Sequence, residues 1–414
     1  MPADPSSDRV SFGDIERAAQ ALEGVTVATP CLHAPRLSAL TGANVYVKYE
    51  NMQATGSFKD RGAFIKLSSL NAEERAAGVV AMSAGNHAQA VAYHAARLGI
   101  SATIVMPART PFVKVAATES HGAKVVLSGE TLYEAADACA ELQASEGRIL
   151  VHPYDDNNII AGQGTVGLEM LRAVPDLDDI IVPVGGGGLI GGIALAAHAL
   201  KPDCRVTGVE AALYPSAHAA LGGHEAKCGG ATLAEGIAVK AVGSRTLPII
   251  RAHVGTILLV DEEAIERAVN AYLTLQKTMA EGAGAAGLAA LMGDPARFQG
   301  RTVGLVLCGG NIDARLIASI MVRELARERR IVTLEATFTD EPGVLARITG
   351  AVGSAGGNIL EVTHHRLALT HPAKATTVRL TIETKDDTHT EAIMEKAKQT
   401  GLLIDISDRV DGRF

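Results

Sequence analysis

Short β-branched apolar runs alternate with alanine-rich stretches of helical spacing from about residue 45 to 330. Val79-Val-Ala-Met precedes a helical stretch over 87–98, and Ala102-Thr-Ile-Val-Met is followed by a helical 112–121. Lys124-Val-Val-Leu, a helix over 132–145 and Ile149-Leu-Val come next. Farther on, Ile180-Ile-Val-Pro-Val runs into a glycine turn and a helix, Arg205-Val-Thr-Gly-Val-Glu is the next strand, and Thr302-Val-Gly-Leu-Val-Leu closes the series. Apolar strands separated by helices of this length predict an α/β fold with parallel sheets and ligands at the carboxyl ends of the strands.

Near residue 330 the pattern changes. Ile331-Val-Thr-Leu-Glu-Ala-Thr-Phe alternates with period two, as a half-exposed strand does. A helix over 344–353, strands over 358–369 and 376–384, a helix over 391–399 and a strand over 402–406 complete a β-α-β-β-α-β order, that of a ferredoxin-like module. The boundary is placed at about residue 328, giving domains 1–328 and 329–414. The basic stretch 323–330 reads as a solvated helix end that links them.

Composition narrows the function classes. The 414 residues are 47% hydrophobic and 20% charged, enough for a large core, and the formal charge of −8 argues against a nucleic-acid or anionic-membrane binder. Five cysteines without a C-x-x-C pair fit a reducing compartment rather than a disulfide framework or a cysteine zinc site. The start, Met1-Pro-Ala-Asp-Pro-Ser-Ser-Asp, shows no secretory signal. Residues 180–200 carry no charge, yet Pro183 and four consecutive glycines interrupt them, so they read as strand, turn and core helix. A cytoplasmic protein is expected.

Three segments could carry chemistry. In Thr55-Gly-Ser-Phe-Lys-Asp-Arg-Gly-Ala, Lys59 follows a glycine turn, sits beside Phe58 and opens a helix; apolar packing there disfavours the charged amine and makes it a nucleophile. Ser83-Ala-Gly-Asn-His-Ala-Gln lies between a strand and a helix, where orphan amides can accept a carboxylate or phosphate, although Ser83 or Asn86 could equally be an ordinary helix cap. Val184-Gly-Gly-Gly-Gly-Leu is a second such turn, able to converge backbone N–H groups on a phosphate. Its Gly186-x-Gly188-x-x-Gly191 also matches a dinucleotide fingerprint, with Glu210 about 20 residues on, which keeps an NAD-dependent oxidoreductase open.

Ser57-Phe-Lys-Asp-Arg-Gly-Ala, Ser83-Ala-Gly-Asn-His-Ala-Gln, Gly185-Gly-Gly-Gly-Leu and Cys308-Gly-Gly-Asn-Ile-Asp together resemble, in this order, the pyridoxal-phosphate serine/threonine dehydratases. Thr29-Pro-Cys-Leu-His, Lys48-Tyr-Glu-Asn-Met-Gln, Ala161-Gly-Gln-Gly-Thr and Ala234-Glu-Gly-Ile-Ala-Val-Lys look like that family too, and residues 331–406 look like an ACT domain. The resemblance implies fold type II (tryptophan-synthase-β-like, two open parallel-sheet domains, the smaller over about 53–155) and pyridoxal 5′-phosphate as cofactor. By it, Lys59 would hold the cofactor and act as base, Phe58 would pack near the ring, and Asn86 would bond the 3′-oxygen. Gly185, Gly186, Gly187, Gly188 and Leu189 would cradle the phosphate, and Cys308 would face the pyridine nitrogen. Ser83, Ala84, Gly85 and His87 would receive the substrate carboxylate. Ala84 stands where racemases of this fold have an acidic serine, so dehydration is favoured over racemisation. Glu281 resembles a family glutamate near the site. No carboxylate follows Glu210 closely enough to complete the cation site of some relatives, so no metal is expected.

The implied activity is that of an L-threonine ammonia-lyase, giving 2-oxobutanoate and ammonia, with L-serine secondary. A serine or 3-hydroxyaspartate dehydratase and, further off, the NAD-dependent oxidoreductase remain as alternatives. A homo-oligomer, dimer or tetramer, and an amino-acid effector at the ACT domain, isoleucine first, complete the expectations.

Overall fold

The computed structural model describes residues 9–365 and 374–407. The opening residues 1–8 therefore lie outside the described residues. Two compact units divide the chain, Met1–Ile312 and Asp313–Phe414, so the helix Ala314–Arg327 groups with the second.

The first unit holds two sheets. Strands β1 (Cys31–His33), β2 (Asn44–Tyr49), β7 (Asp179–Pro183), β8 (Arg205–Ala211), β9 (Thr256–Val260) and β10 (Thr302–Leu307) form one, in the order β1-β2-β10-β7-β8-β9. Only the β1–β2 pair is antiparallel. The smaller sheet is wholly parallel and runs β5 (Lys124–Leu127), β4 (Ala102–Met106), β3 (Val79–Met82), β6 (Ile149–Leu150). The apolar runs of β4 and β7 are buried throughout, as parallel strands covered on both faces must be. The expected α/β class and its strands are thus present, while β1, β2 and β9 join the large sheet without having been singled out by pattern.

The second unit is the β-α-β-β-α-β module. β11 (Ile331–Thr339), β12 (Asn358–His365), β13 (Ala375–Glu383) and β14 (Leu403–Ser407) form an antiparallel sheet in the order β12-β13-β11-β14. Its core joins Val332, Leu334 and Phe338 of β11 to Val344, Ile348 and Val352 of the helix Val344–Ser354. β12 ends at His365; the rest of the strand expected over 358–369 lies outside the described residues.

Three helices of the first unit meet without side chains between them. A methyl group on Gly162 would lie 2.7 Å from the Cα of Gly62, and one on Gly192 would lie 2.5 Å from the backbone N of Gly164. The helices Lys59–Ser68 and Gly188–Leu200 are thereby pressed, backbone to backbone, onto opposite sides of the helix Asn157–Ala173. A buried ionic cluster reinforces the first of these crossings. Arg61 donates to Glu50 through Nε and Nη2, both at 2.7 Å, and to Glu169 through Nη1 at 2.5 Å. Lys48 reaches Glu169 at 2.6 Å, and Thr29 and Gln53 donate to the carboxylate of Glu50. Burial alone would raise the Glu50 carboxyl, but Arg61 and Lys48 hold it at about 2.

Glu50→Gln should therefore lower the unfolding free energy of the protein by about 1.5–3 kcal/mol, since the buried Arg61 loses one of its two carboxylate partners and keeps Glu169. The Glu50 contribution is present above about pH 4.5 and fades as pH falls towards 2, because the carboxyl is depressed from 4.5 to about 2. Urea unfolding of both proteins as a function of pH checks this; equal stability at neutral pH would remove the pair from the account.

Candidate active site

Lys59 opens its helix immediately after an irregular turn that is tied to the end of β10. Phe58 N–H donates to Cys308 C=O at 3.0 Å, and Ser57 pairs with Gly309 in an isolated antiparallel bridge. These contacts bring the lysine motif and the Cys308 motif, some 250 residues apart, into one site. The Lys59 ammonium donates to the C=O of Pro153 at 2.7 Å and lies 5.1 Å from the centre of the Phe58 ring. Burial pushes its amine down to about 8, against the raising pull of Glu281. Such an amine is only mildly uphill from its free, nucleophilic form at neutral pH.

Two helix starts carry no side-chain cap. The helix Asn86–Arg97 follows β3, and its N-cap is Gly85, which has no side chain to offer; Ser83 Oγ accepts only from Gly85 N–H, at 3.2 Å. Neither Ser83 nor Asn86 thus caps the helix. The helix Gly188–Leu200 follows β7 and is entered through Gly187 at φ +93°, again with no side-chain cap. Its first-turn amides have no intrahelical partner, so both starts present free donors and the positive end of a helix dipole. The glycines are required sterically: a methyl group on Gly186 would fall within the ring of Tyr154, and one on Gly188 would lie 2.9 Å from Tyr154 C=O. Tyr154 was not picked out in the sequence, yet it walls the glycine turn one residue after the carbonyl that holds Lys59.

Asn86 sits between two partners. Its Nδ2 donates to Glu281 Oε1 at 2.7 Å, and its Oδ1 accepts from Asn311 Nδ2 at 2.8 Å. Burial raises the Glu281 carboxyl to about 7. The Cys308 thiol is buried and pushed well above 9, again by burial first, so it is protonated and neutral. His87 is also neutral, driven down to about 3 by burial and by Lys59. Its Nε2 donates to Val151 C=O at 2.8 Å, which leaves Nδ1 as a buried acceptor without a partner, unsuited to a carboxylate.

Glu210 has a structural task. It accepts from Ser216 Oγ at 3.1 Å and from the backbone N–H groups of Ala217 and His218 at 2.7 and 2.9 Å. Both of its oxygens are used on this helix start and are not offered to a ribose diol, as the dinucleotide alternative requires. No helix among the described residues is long and apolar enough to cross a membrane.

This arrangement could hold pyridoxal phosphate. It combines an amine that loses its proton near neutrality, a glycine cradle at an uncapped helix start for the phosphate, an amide donor and a neutral thiol. The Pyridoxal-phosphate dependent enzyme family matches residues 22–309, and the ACT domain family matches residues 327–407. The L-threonine ammonia-lyase of Thermotoga maritima is 42% identical over 386 residues, 93% of this chain and 96% of that one. The L-threonine ammonia-lyase of Geobacter sulfurreducens is 43% identical over 381 residues, 91% of this chain and 94% of its own. Among solved structures, the threonine deaminase isoform 2 of Solanum lycopersicum, in its processed form, superposes with a TM-score of 0.72 at 33% identity, covering 78% of this chain and 90% of that one.

In protein stripped of any cofactor, an amine-directed reagent should modify Lys59 about fivefold faster at pH 8 than at pH 7. The gain from pH 8 to 9 should be less than about twofold, as a group titrating near 8 requires. Mass spectrometry of the labelled peptide reads this out; a rate still climbing tenfold per pH unit at pH 9.5 would place Lys59 with ordinary surface lysines.

Proposed function

The chain belongs to the pyridoxal-phosphate-dependent enzyme family, with an ACT domain following, and from that premise we propose that it is an L-threonine ammonia-lyase. It would convert L-threonine to 2-oxobutanoate and ammonia and accept L-serine less well. The observation that carries this reading is the buried Lys59 amine, which donates to Pro153 C=O at 2.7 Å, in a unit whose helices Asn86–Arg97 and Gly188–Leu200 both start without a side-chain cap. Similarity over 93% of the chain to an enzyme named for this activity supports it.

When bound, the cofactor supplies an electron sink that acidifies the substrate's Cα–H bond. The chain's own residues do the rest. Gly185, Gly186, Gly187, Gly188 and Leu189 would hold the phosphate through backbone N–H groups, and Lys59 would anchor the cofactor at its other end. Phe58 packs beside that anchor. Asn86 would give its amide to the 3′-oxygen, and Cys308 would meet the ring nitrogen as a neutral thiol, a partner that does not protonate it and so would favour elimination over transamination. The amides from Ala84 and Gly85 onward, with Ser83, receive the substrate carboxylate and so orient the bonds to be broken. Lys59, as the free amine, removes the α-proton. Ala84 offers no proton on the opposite face, so racemisation is disfavoured. The enzyme is proposed to work in the cytoplasm, as a homo-oligomer, with no metal in its site.

Lys59→Ala should reduce release of 2-oxobutanoate from L-threonine by several orders of magnitude, since anchor and base vanish together. The wild-type protein should be coloured, and borohydride should bleach it with label retained on Lys59. A colourless protein stabilised by a nicotinamide instead would overturn the lyase assignment. A higher kcat/KM for 3-hydroxyaspartate than for threonine would overturn the substrate alone.

The ACT unit supports a regulatory proposal. The turn Asp340-Glu-Pro-Gly enters the helix Val344–Ser354 through Gly343 at φ +87°, with no side-chain cap, so free amides there suit an amino-acid carboxylate. Isoleucine is proposed to bind and to lower the rate of the full-length enzyme. A coupling of about 1–3 kcal/mol between the two sites would shift the threonine saturation curve by about 5–150-fold. Truncation at about residue 328 should abolish the shift and spare turnover. Superimposable rate curves with and without isoleucine or valine would exclude the module as their sensor.

A further inference from the structure

Asn86 is an amide, and an amide can present either its oxygen or its NH2 group to a ligand; something must decide which. The decision is made two bonds away. Asn311 donates through Nδ2 to Thr55 C=O at 2.7 Å and to Asn86 Oδ1 at 2.8 Å. A backbone carbonyl can only accept, so the Asn311 atom facing Thr55 must be its NH2 group. Thr55 is itself held: its N–H donates to Asp60 Oδ2 at 3.1 Å, and its hydroxyl donates to Asp60 Oδ1. At the far end Glu281 accepts from Asn86 Nδ2 at 2.7 Å. Two protons of Asn311 are thereby spent on two acceptors, the oxygen of Asn86 is turned towards Asn311, and one N–H of Asn86 is left free. Gly309 keeps the crossing open, because a methyl group there would collide with Glu281 and lie 3.1 Å from Asn86 Nδ2.

We propose that Asn311 is a positioning residue for the cofactor: through the relay Thr55–Asn311–Asn86–Glu281 it fixes Asn86 with an N–H, not a C=O, towards the cofactor's phenolic oxygen. The proposal rests on the assignment of Asn86 to that oxygen. Its chemical consequence is that the oxygen is met by a donor and is held in its anionic form. Reversing the polarity of Asn311 should reverse Asn86 as well, since a carboxylate in its place would draw the Asn86 NH2 towards itself and leave a carbonyl against the cofactor.

The test uses the full-length protein, stripped and reloaded with pyridoxal phosphate. Asn311→Asp should raise the Kd for the cofactor about tenfold and move its visible band to shorter wavelength, as loss of a donor to the phenolic oxygen requires. Asn311→Ala, which frees Asn86 without repelling it, should do both to a smaller degree. Asn311 is exposed, so the alanine variant keeps the test open if the aspartate variant folds poorly. Asn86→Ala is the control for the underlying assignment and should match or exceed Asn311→Asp. Wild-type Kd and spectrum in both Asn311 variants, with Asn86→Ala impaired, would show that Asn86 orients itself and would overturn the proposal. Wild-type behaviour of Asn86→Ala would overturn the assignment beneath it.

Discussion

The ion pair of Glu50 and Arg61 is the constraint from which the site is built. Neither side chain has any exposure, and each would be costly to bury without the other. Because Arg61 lies two residues beyond Lys59 on the same helix, fixing the guanidinium fixes the direction in which the amine emerges. Glu50 sits just past β2, Glu169 on the helix Asn157–Ala173, and Thr29 just ahead of β1, so one guanidinium ties the lysine helix to the edge of the large sheet and to the central helix. A surface lysine could adopt many rotamers at little cost. This one is placed from behind by a fully buried ion pair.

The electrostatics around Lys59 follow a single theme. Its neighbours are a protonated thiol at Cys308, an uncharged His87 and a carboxyl at Glu281 poised near 7, while two helix starts add partial positive charge. Full negative charge is scarce in the site, so an anionic ligand supplies what the protein withholds. A phosphorylated cofactor and a carboxylate substrate both answer that need.

Much of this architecture was legible in the chain. The apolar runs that became β3, β4, β7 and β10 announced themselves because parallel strands buried on both faces carry no polar alternation. β2 did not, since Lys48 is buried within it and looks like a solvent-facing residue until its partners at Glu169 and Thr29 are known. The segments containing Thr29, Lys48, Gln53 and Thr165 carried a family resemblance but no roles; in space they converge on Glu50 and Arg61. Asn311, quoted within the Cys308 motif but given no role, and Tyr154, not quoted at all, escaped for another reason. Their work is defined by contacts spanning 225 and 87 residues, with Asn86 and Ala241, and no local period encodes such a meeting. Glu210 illustrates the reverse error: a residue at the right spacing for a ribose contact is a helix cap.

The glycine crossings along the helix Asn157–Ala173 carry a mechanical meaning. Ordinary helix pairs rest on side chains that can change rotamer, and the spacing between the helices breathes with them. Here the contacts from Gly62 to Gly162 and from Gly164 to Gly192 are backbone against backbone, with nothing between to rearrange. The amine at one helix start and the amides at the other are consequently held apart by something close to a rigid ruler, whose length is set by backbone contact instead of by side-chain rotamers. The span this ruler defines is that between the two ends of whatever lies in the site. A ligand of the wrong length cannot be accommodated by a small shift of one helix, and the chain cannot lengthen the span by any single substitution that leaves these crossings in place.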